Sequence, residues 1–475
     1  MEESDNETEL LVPLERSSKC CSVPRDVIAS VIACIGSFIM GIALGYSSPA
    51  LASETFSDFL GTKDNQFWFG SLLAVGAIFG GPIGGVLRSL VGLKFTLMLC
   101  NLPLGIGWLL ILGKFSVATA FIGRVLTGVG IGVASFASPL YVSEVADKSR
   151  RGVLGLFFQL TVSIGILVSF ALGTVLSWNY LALVFMIISV VNCLMILIIP
   201  ESPRWYLTQH LDQDALESLK WLYRSEQRAT IEINFLRNTL INSIENRNDG
   251  AVSRFSLADL KSREIHRPIL IGIGLMVFQQ LSGINAIMFY TSSIFSKAGF
   301  QDNPSLPTII TGSVLVAATF LSCFCIDCLG RRVLLLISGV FMTASMVCFG
   351  LYYYLTEEVS RTDLSWLSLS SVCAFIISFS FGWSSIPWLA CSEIMPAKAK
   401  NFGISVTTIS NWLFTFLITK EVVDLTYLLH SYGTMWLFAV FCAISVLFVA
   451  VCLPETKGKS LEEIQSHFTR GSAAR

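Results

Sequence analysis

Pro200-Glu201-Ser202-Pro203-Arg204 and Pro454-Glu455-Thr456-Lys457-Gly458 decide the fold, because each closes a run of six apolar stretches. Two more matched pairs precede them in the same order. Gly92-Leu93-Lys94 answers Gly330-Arg331-Arg332, and Ser143-Glu144-Val145 answers Ser392-Glu393-Ile394. A basic residue then follows each of those glutamates, Arg151 in one half and Lys400 in the other. All the pairs lie about 240–255 residues apart. Shared order and spacing imply a duplicated six-helix unit.

Working outward, the apolar stretches lie near 27–47, 68–88, 94–113, 117–140, 154–176, 180–199, 268–294, 308–327, 333–355, 366–391, 402–420 and 433–453. Each is near the roughly 20 residues that cross a hydrocarbon core. Of the 475 residues 53% are hydrophobic and only 14% charged, where a soluble domain carries about 25% charged residues. The 34 Phe and 36 Gly suit lipid-facing helices that pack through small residues. The expected fold is an all-α polytopic membrane protein with twelve transmembrane helices in two parallel-repeat six-helix bundles. Repeats of this kind place a binding site between the halves, near the bilayer midplane.

Net charge is −1, but its distribution has a side. About 26 of the 32 Lys and Arg fall in the two termini and the loops after even-numbered spans, and about 6 on the other side. Positive charge stays in the cytoplasm, so both termini are expected there. The chain then divides into a cytoplasmic tail (1–26), a six-helix bundle (27–199), a cytoplasmic linker of short amphipathic helices (200–267), a second bundle (268–453) and a second tail (454–475). The first tail is acidic, unlike a signal peptide, so the first span is expected to direct membrane insertion. Its sequon at Asn6 lies on the cytoplasmic side and should be silent.

Candidate chemistry comes in two groups. Glu144, Arg151, Glu201, Arg204, Asp327, Arg331, Arg332, Glu393, Lys400 and Glu455 flank helix ends at the cytoplasmic face. Topology signals explain any one of them. Matching acids and bases in both halves suggest a network of ion pairs that holds the cytoplasmic side shut and breaks when it opens. Exposed pairs contribute only about 0–1 kcal/mol each, yet several together can bias two states. The second group is polar residues inside spans: Gln159, Gln279, Gln280, Asn285 and Asn411. Amides donate and accept hydrogen bonds, and being neutral they suit an uncharged polyhydroxyl ligand. They can also simply join helices. Gly283, between Gln280 and Asn285, can loosen the helix and turn both toward a cavity. Trp388 and Trp412 add aromatic faces that can stack on a pyranose. The 13 Cys are scattered; Cys325 and Cys328 have CxxC spacing without a second pair, which reads as packing rather than metal. No nucleophile–base pair or phosphate-cradling loop appears, so no enzyme, cofactor, metal or nucleic-acid partner is implied.

These residues carry a resemblance. Arg124 with Gly128 and Gly132, Pro139-Leu140-Tyr141 through Arg151-Gly152, Gln279 through Asn285, Ile386-Pro387-Trp388, Ser410-Asn411-Trp412 and the two closing motifs together resemble the sugar porter branch of the major facilitator superfamily. Gly45-Tyr46-Ser47-Ser48-Pro49 and Gly382-Trp383 are similar to class III facilitative hexose transporters and insect facilitated trehalose transporters. The resemblance implies a facilitative carrier of a neutral sugar working by alternating access, and sugar contacts at Gln159, Gln279, Gln280, Asn285, Trp388 and Asn411. A sugar–proton symporter and a non-transporting sensor are the alternatives. Ser47 stands where proton-driven relatives carry Asp, which favours uncoupled transport and leaves Arg124 to find another polar group. Ser89 and Leu93 replace an acid and a basic residue, which should weaken the N-terminal charge cluster. Leu315, Ser385 and Thr415 also depart from the family's pattern and leave the sugar open. The expected setting is the lipid bilayer, the plasma membrane before an endosomal or lysosomal one, with the carrier working as a monomer. Leu10-Leu11, after Glu7-Thr8-Glu9, resembles a sorting signal read by adaptors.

Overall fold

The computed structural model describes residues 23–147, 150–248, 257–297, 305–359, 364–396, 399–457 and Glu463. Asn6, Leu10-Leu11 and the side chains of Arg151 and Asp327 lie outside the described residues. Among the described residues every regular element is a helix. Ten helical stretches are long and apolar enough to cross a membrane. Two of them, Lys63–Leu112 with 50 residues and Phe402–Cys452 with 51, would each be about 75 Å long if straight. A hydrocarbon core is only about 30 Å thick, so each must be two spans. The chain turns inside both. Gly92 breaks the first with φ 88° and ψ 176°, and His430 breaks the second with φ 60° and ψ 171°. Twelve spans result, and the protein is a multi-pass membrane protein.

In the first half, span 1 is Arg25–Gly45, span 2 runs from Lys63 to the break at Gly92, and span 3 continues through Asn101–Leu112. Span 4 is Val117–Val145, span 5 Arg151–Val175 and span 6 Trp178–Ile196. Helices Pro203–Thr208, Asp212–Tyr223 and Glu226–Asn248 form the linker. The middle one buries Ala215, Leu219 and Leu222 on one face, as its helical spacing dictates. Trp221 meets span 1, with the Arg25 guanidinium 5.2 Å from its ring centroid.

The second half repeats the plan. Span 7 is Arg263–Leu281 plus Ile284–Lys297, span 8 Ser305–Leu329 and span 9 Arg331–Glu357. Span 10 is Ser365–Phe381 plus Ile386–Ile394, and spans 11 and 12 share Lys400–Cys452. Span 7 begins five residues before the apolar stretch that marks it in the sequence, because a charged first turn can lie in the cytoplasm. Spans 2 and 11, 5 and 8, and 1 and 7 meet across the line between the halves.

The repeated motifs build the same joint twice. Gly92 and Gly330 take φ of 88° and 92°, a region that strongly favours glycine. Each joint turns the chain from one span into the next. The N–H groups freed at the start of the following helix point at a glutamate from beyond the sixth span of the same half. Leu93 and Lys94 donate to Glu201 at 2.9 and 3.1 Å. Arg331 and Arg332 donate to Glu455 at 3.0 and 3.1 Å. A carboxylate there satisfies orphan donors and opposes the positive end of the helix dipole.

Gly330→Ala should therefore cost about 1–3 kcal/mol, since its methyl would sit in the forbidden region and 2.9 Å from a Glu455 oxygen. Gly105→Ala is the control, because its methyl meets nothing within 4 Å. Thermal unfolding in detergent should fall for the first and not for the second.

Candidate functional site

The breaks in spans 7 and 10 face each other at the centre of the second half. Gly283 separates the two parts of span 7 with φ 85°, and a Cβ there would lie 2.7 Å from the Phe438 ring. In span 10 the break runs from Gly382 to Ser385, and Pro387 opens the next helix near its first turn, where its missing N–H costs nothing. Each break frees backbone carbonyls at membrane depth. Gln279 takes up two of them: its Nε2 donates to the Trp383 carbonyl at 2.6 Å and the Ser384 carbonyl at 3.2 Å.

An amide network grows from that bond. Asn411 donates to Gln279 Oε1 at 2.7 Å. Asn285 donates to Gln280 Oε1 at 2.6 Å and reaches Thr415 Oγ1 at 3.5 Å. Gln279, Gln280 and Asn411 are all buried, and Asn285 is half-buried. Trp412 is buried, and its Nε1 has no hydrogen-bond partner among the described residues. Trp388 sits half-buried just past the span 10 break. Gln159 stands apart on span 5, half-buried, one turn before Ser163. The structure thus gathers Gln279, Gln280, Asn285 and Asn411 into one cluster built by the second half. Sequence reading missed the Trp383 and Ser384 carbonyls, since a backbone acceptor leaves no mark in the residue type.

Arg124 is fully buried in span 4. It donates to the Ser47 hydroxyl and to the Ala43 carbonyl, the latter at 3.0 Å. The Phe69 and Tyr46 ring centroids lie 5.3 and 5.9 Å from its guanidinium carbon. Aromatic faces attract cations more strongly once water is excluded. Ser47 and those rings are the substitute partners that the sequence left open.

The cytoplasmic charges pair within halves. Arg88 meets Glu144 at 2.8 Å, and Ser202 donates to the other Glu144 oxygen. Arg331 meets Glu393 at 3.3 Å, and Thr456 donates to the other Glu393 oxygen at 2.7 Å. Ser89 and Leu93 bring no charge to the first-half cluster, but Arg88, one turn before the Gly92 joint, supplies a guanidinium as Arg331 does after Gly330. Among the described residues no cytoplasmic ion pair joins one half to the other. Arg204 is exposed and Lys400 half-buried, neither in an ion pair among the described residues. The arrangement stitches helix ends inside each half. Hydrogen bonds across the halves are made by hydroxyls instead: Ser48 meets Ser292 at 2.9 Å at the outer ends, and Ser163 of span 5 meets Thr319 of span 8 at 3.1 Å.

Two repeated six-helix halves, with a polar cluster at helices broken at membrane depth, follow the plan of a membrane transporter. The chain belongs to the sugar (and other) transporter family, whose model matches residues 28–468. It is 40% identical over 466 residues to the facilitated glucose transporter member 8 of solute carrier family 2 from Mus musculus, covering 94% of each chain. It is 37% identical to the facilitated trehalose transporter Tret1 of Apis mellifera ligustica, covering 93% of this chain and 88% of that one. Its fold matches the proton:xylose symporter XylE bound to 6-bromo-6-deoxy-D-glucose with a TM-score of 0.76 at 22% identity, over 94% of this chain and 99% of that one. The inward-open conformation of the xylose transporter XylE from E. coli matches with 0.73 at 22% identity, over 92% and 98%.

The two joint glutamates differ in burial. Burial raises the Glu201 carboxyl, and its backbone N–H donors, Ser202, Lys94 and Leu93 among them, offset that only in part. Burial also opposes ionisation at Glu455, but there the N–H groups of Lys457, Arg331, Arg332 and Thr456 win and hold it below the usual range. A lowered carboxyl contributes stability above its unfolded value, about 4.3, and loses it as pH falls through its folded value. Thermal stability should therefore drop between about pH 5 and pH 3, and Glu455→Gln should flatten that slope while Glu201→Gln should not.

Proposed function

We propose that the chain is a facilitative carrier, a uniporter, for a neutral sugar of hexose or trehalose size. The observation that carries this reading is the buried neutral amide cluster of Gln279, Gln280, Asn285 and Asn411 at two facing helix breaks. Amides match hydroxyl groups, which both donate and accept, and nothing in the cluster asks for a charged ligand. Relatives named for facilitated glucose and trehalose transport support the substrate class. Ser47 beside Arg124 supports the absence of coupling, because a titrating carboxylate at that place would be the natural proton carrier.

Sugar enters between the halves and bonds chiefly to spans 7 and 11. It replaces the Asn285–Gln280 bond with bonds of its own, so the cluster stays satisfied in both bound and empty states. Trp388, Trp412 and Gln159 complete the site, with an aromatic face for the C–H side of the ring. The glutamate joints and the Arg88–Glu144 and Arg331–Glu393 pairs keep each half rigid, so that alternating access is a rocking of two bodies.

Reconstituted uptake of labelled glucose, fructose and trehalose at two pH values tests the reading. At least one should enter down its gradient, unchanged by pH or a protonophore. Uptake that collapses with the protonophore would identify a symporter; binding without flux would identify a sensor. Gln280→Ala and Asn285→Ala should each weaken apparent sugar affinity about three- to tenfold, as expected for a lost hydrogen bond at about 0.5–1.5 kcal/mol, with surface expression intact. Unchanged affinity in both would remove these residues from the site.

A further inference from the structure

We propose that Lys420, on span 11, is the latch that holds the outer ends of the two halves together. It rests on the alternating-access reading above but concerns a different part of the molecule. Lys420 Nζ lies 3.6 Å from Asp64 Oδ1 at the outer start of span 2 and 3.9 Å from Asp424 one turn further along its own helix. It also sits 5.2 Å from the centroid of the Trp68 ring on span 2. Trp68 in turn leans on Phe416 of span 11, with centroids 6.1 Å apart. Two acids, one cation and two rings thus lock span 2 of the first half to span 11 of the second. Among the described residues, Asp64–Lys420 is the ion pair that crosses between the halves.

Burial is uneven within this group. The Lys420 side chain is only 15% exposed, while those of Asp64 and Asp424 are 69% and 71% exposed. An ion pair with an exposed acid is weak and screened by salt. A cation drawn over an indole face and shielded from water is stronger. Trp68 therefore does part of the holding, and Asp64 fixes the ammonium above the ring. Asp424 lies on the same helix as Lys420 and can keep the ammonium paired after the halves part. That second acid lowers the cost of opening, so the latch is reversible. Since span 2 and span 11 must separate at their outer ends to admit a ligand from outside, breaking this group belongs to the opening step.

The test reads gate position rather than flux. Ser48 is 1% exposed and contacts Ser292 across the halves, so Ser48→Cys reacts with an impermeant maleimide from outside only when the outer ends separate. In cells or right-side-out vesicles, with the chain lacking Ser48→Cys as the blank, Lys420→Gln should raise the labelling rate about three- to tenfold. Asp64→Asn should raise it less, and the double variant should label no faster than Lys420→Gln. External salt at about 0.5 M, which screens exposed charges within a few ångström, should speed labelling of the parent but not of Lys420→Gln. If Lys420→Gln fails to reach the membrane, Asp64→Asn, on an exposed first turn, tests the same bond. Unchanged labelling in the single variants, or effects that simply add in the double, would overturn the latch. Labelling that responds in a chain with no sugar flux would instead sink the transport reading and leave the latch standing.

Discussion

Inside a bilayer every backbone N–H and C=O must find a partner within the protein, because the hydrocarbon offers none. The structure depends on how that constraint is met wherever a helix stops. Spans 7 and 10 both break at mid-membrane, and Gln279 answers for the carbonyls of Trp383 and Ser384. At the cytoplasmic face the joints at Gly92 and Gly330 expose N–H groups, and Glu201 and Glu455 accept them. Site and scaffold are thus two uses of one requirement. At the centre a neutral side chain is used, where a charge would be costly to bury. At the rim a carboxylate serves, since water is near and helix dipoles favour it.

Duplication shows in these joints more clearly than in the apolar spans, where many sequences fill the same volume. A glycine at positive φ, a glutamate aimed at the next helix start, and an arginine bridging to the acid of span 4 or span 10 recur in each half. Differences between the copies are equally physical. The first half draws its arginine from before the glycine and the second from after it, and both guanidiniums reach the matching glutamate. Position along the chain is free to drift as long as the charge arrives at the same point in space. Burial of the two joint glutamates has drifted as well, and with it their affinity for protons.

Arg124 illustrates a buried cation whose contacts among the described residues include no carboxylate. One hydroxyl, one carbonyl and two ring faces surround it. The outer latch uses the same cation–ring chemistry at Lys420. It differs in adding acids at the water's edge, where an ion pair can form and dissolve.

The sequence by itself determined the class of the molecule: a twelve-span membrane protein, its duplication and its family. Bilayer thickness and the cost of burying charge act on short stretches, so length, composition and sidedness can be counted along the chain. Gly283 as a break, and the neutral amides around it, were legible for the same local reason. Partner choice was not. That Gln279 bonds carbonyls on span 10, that Arg88 rather than a residue after Gly92 meets Glu144, and that Lys420 reaches Asp64 depend on which helix faces which. Those pairings join residues tens to hundreds of positions apart, and a single sequence carries no distance between them. Only the tertiary structure decided that the charges at the helix ends bind each half to itself, and that the ion pair between the halves forms at their outer ends.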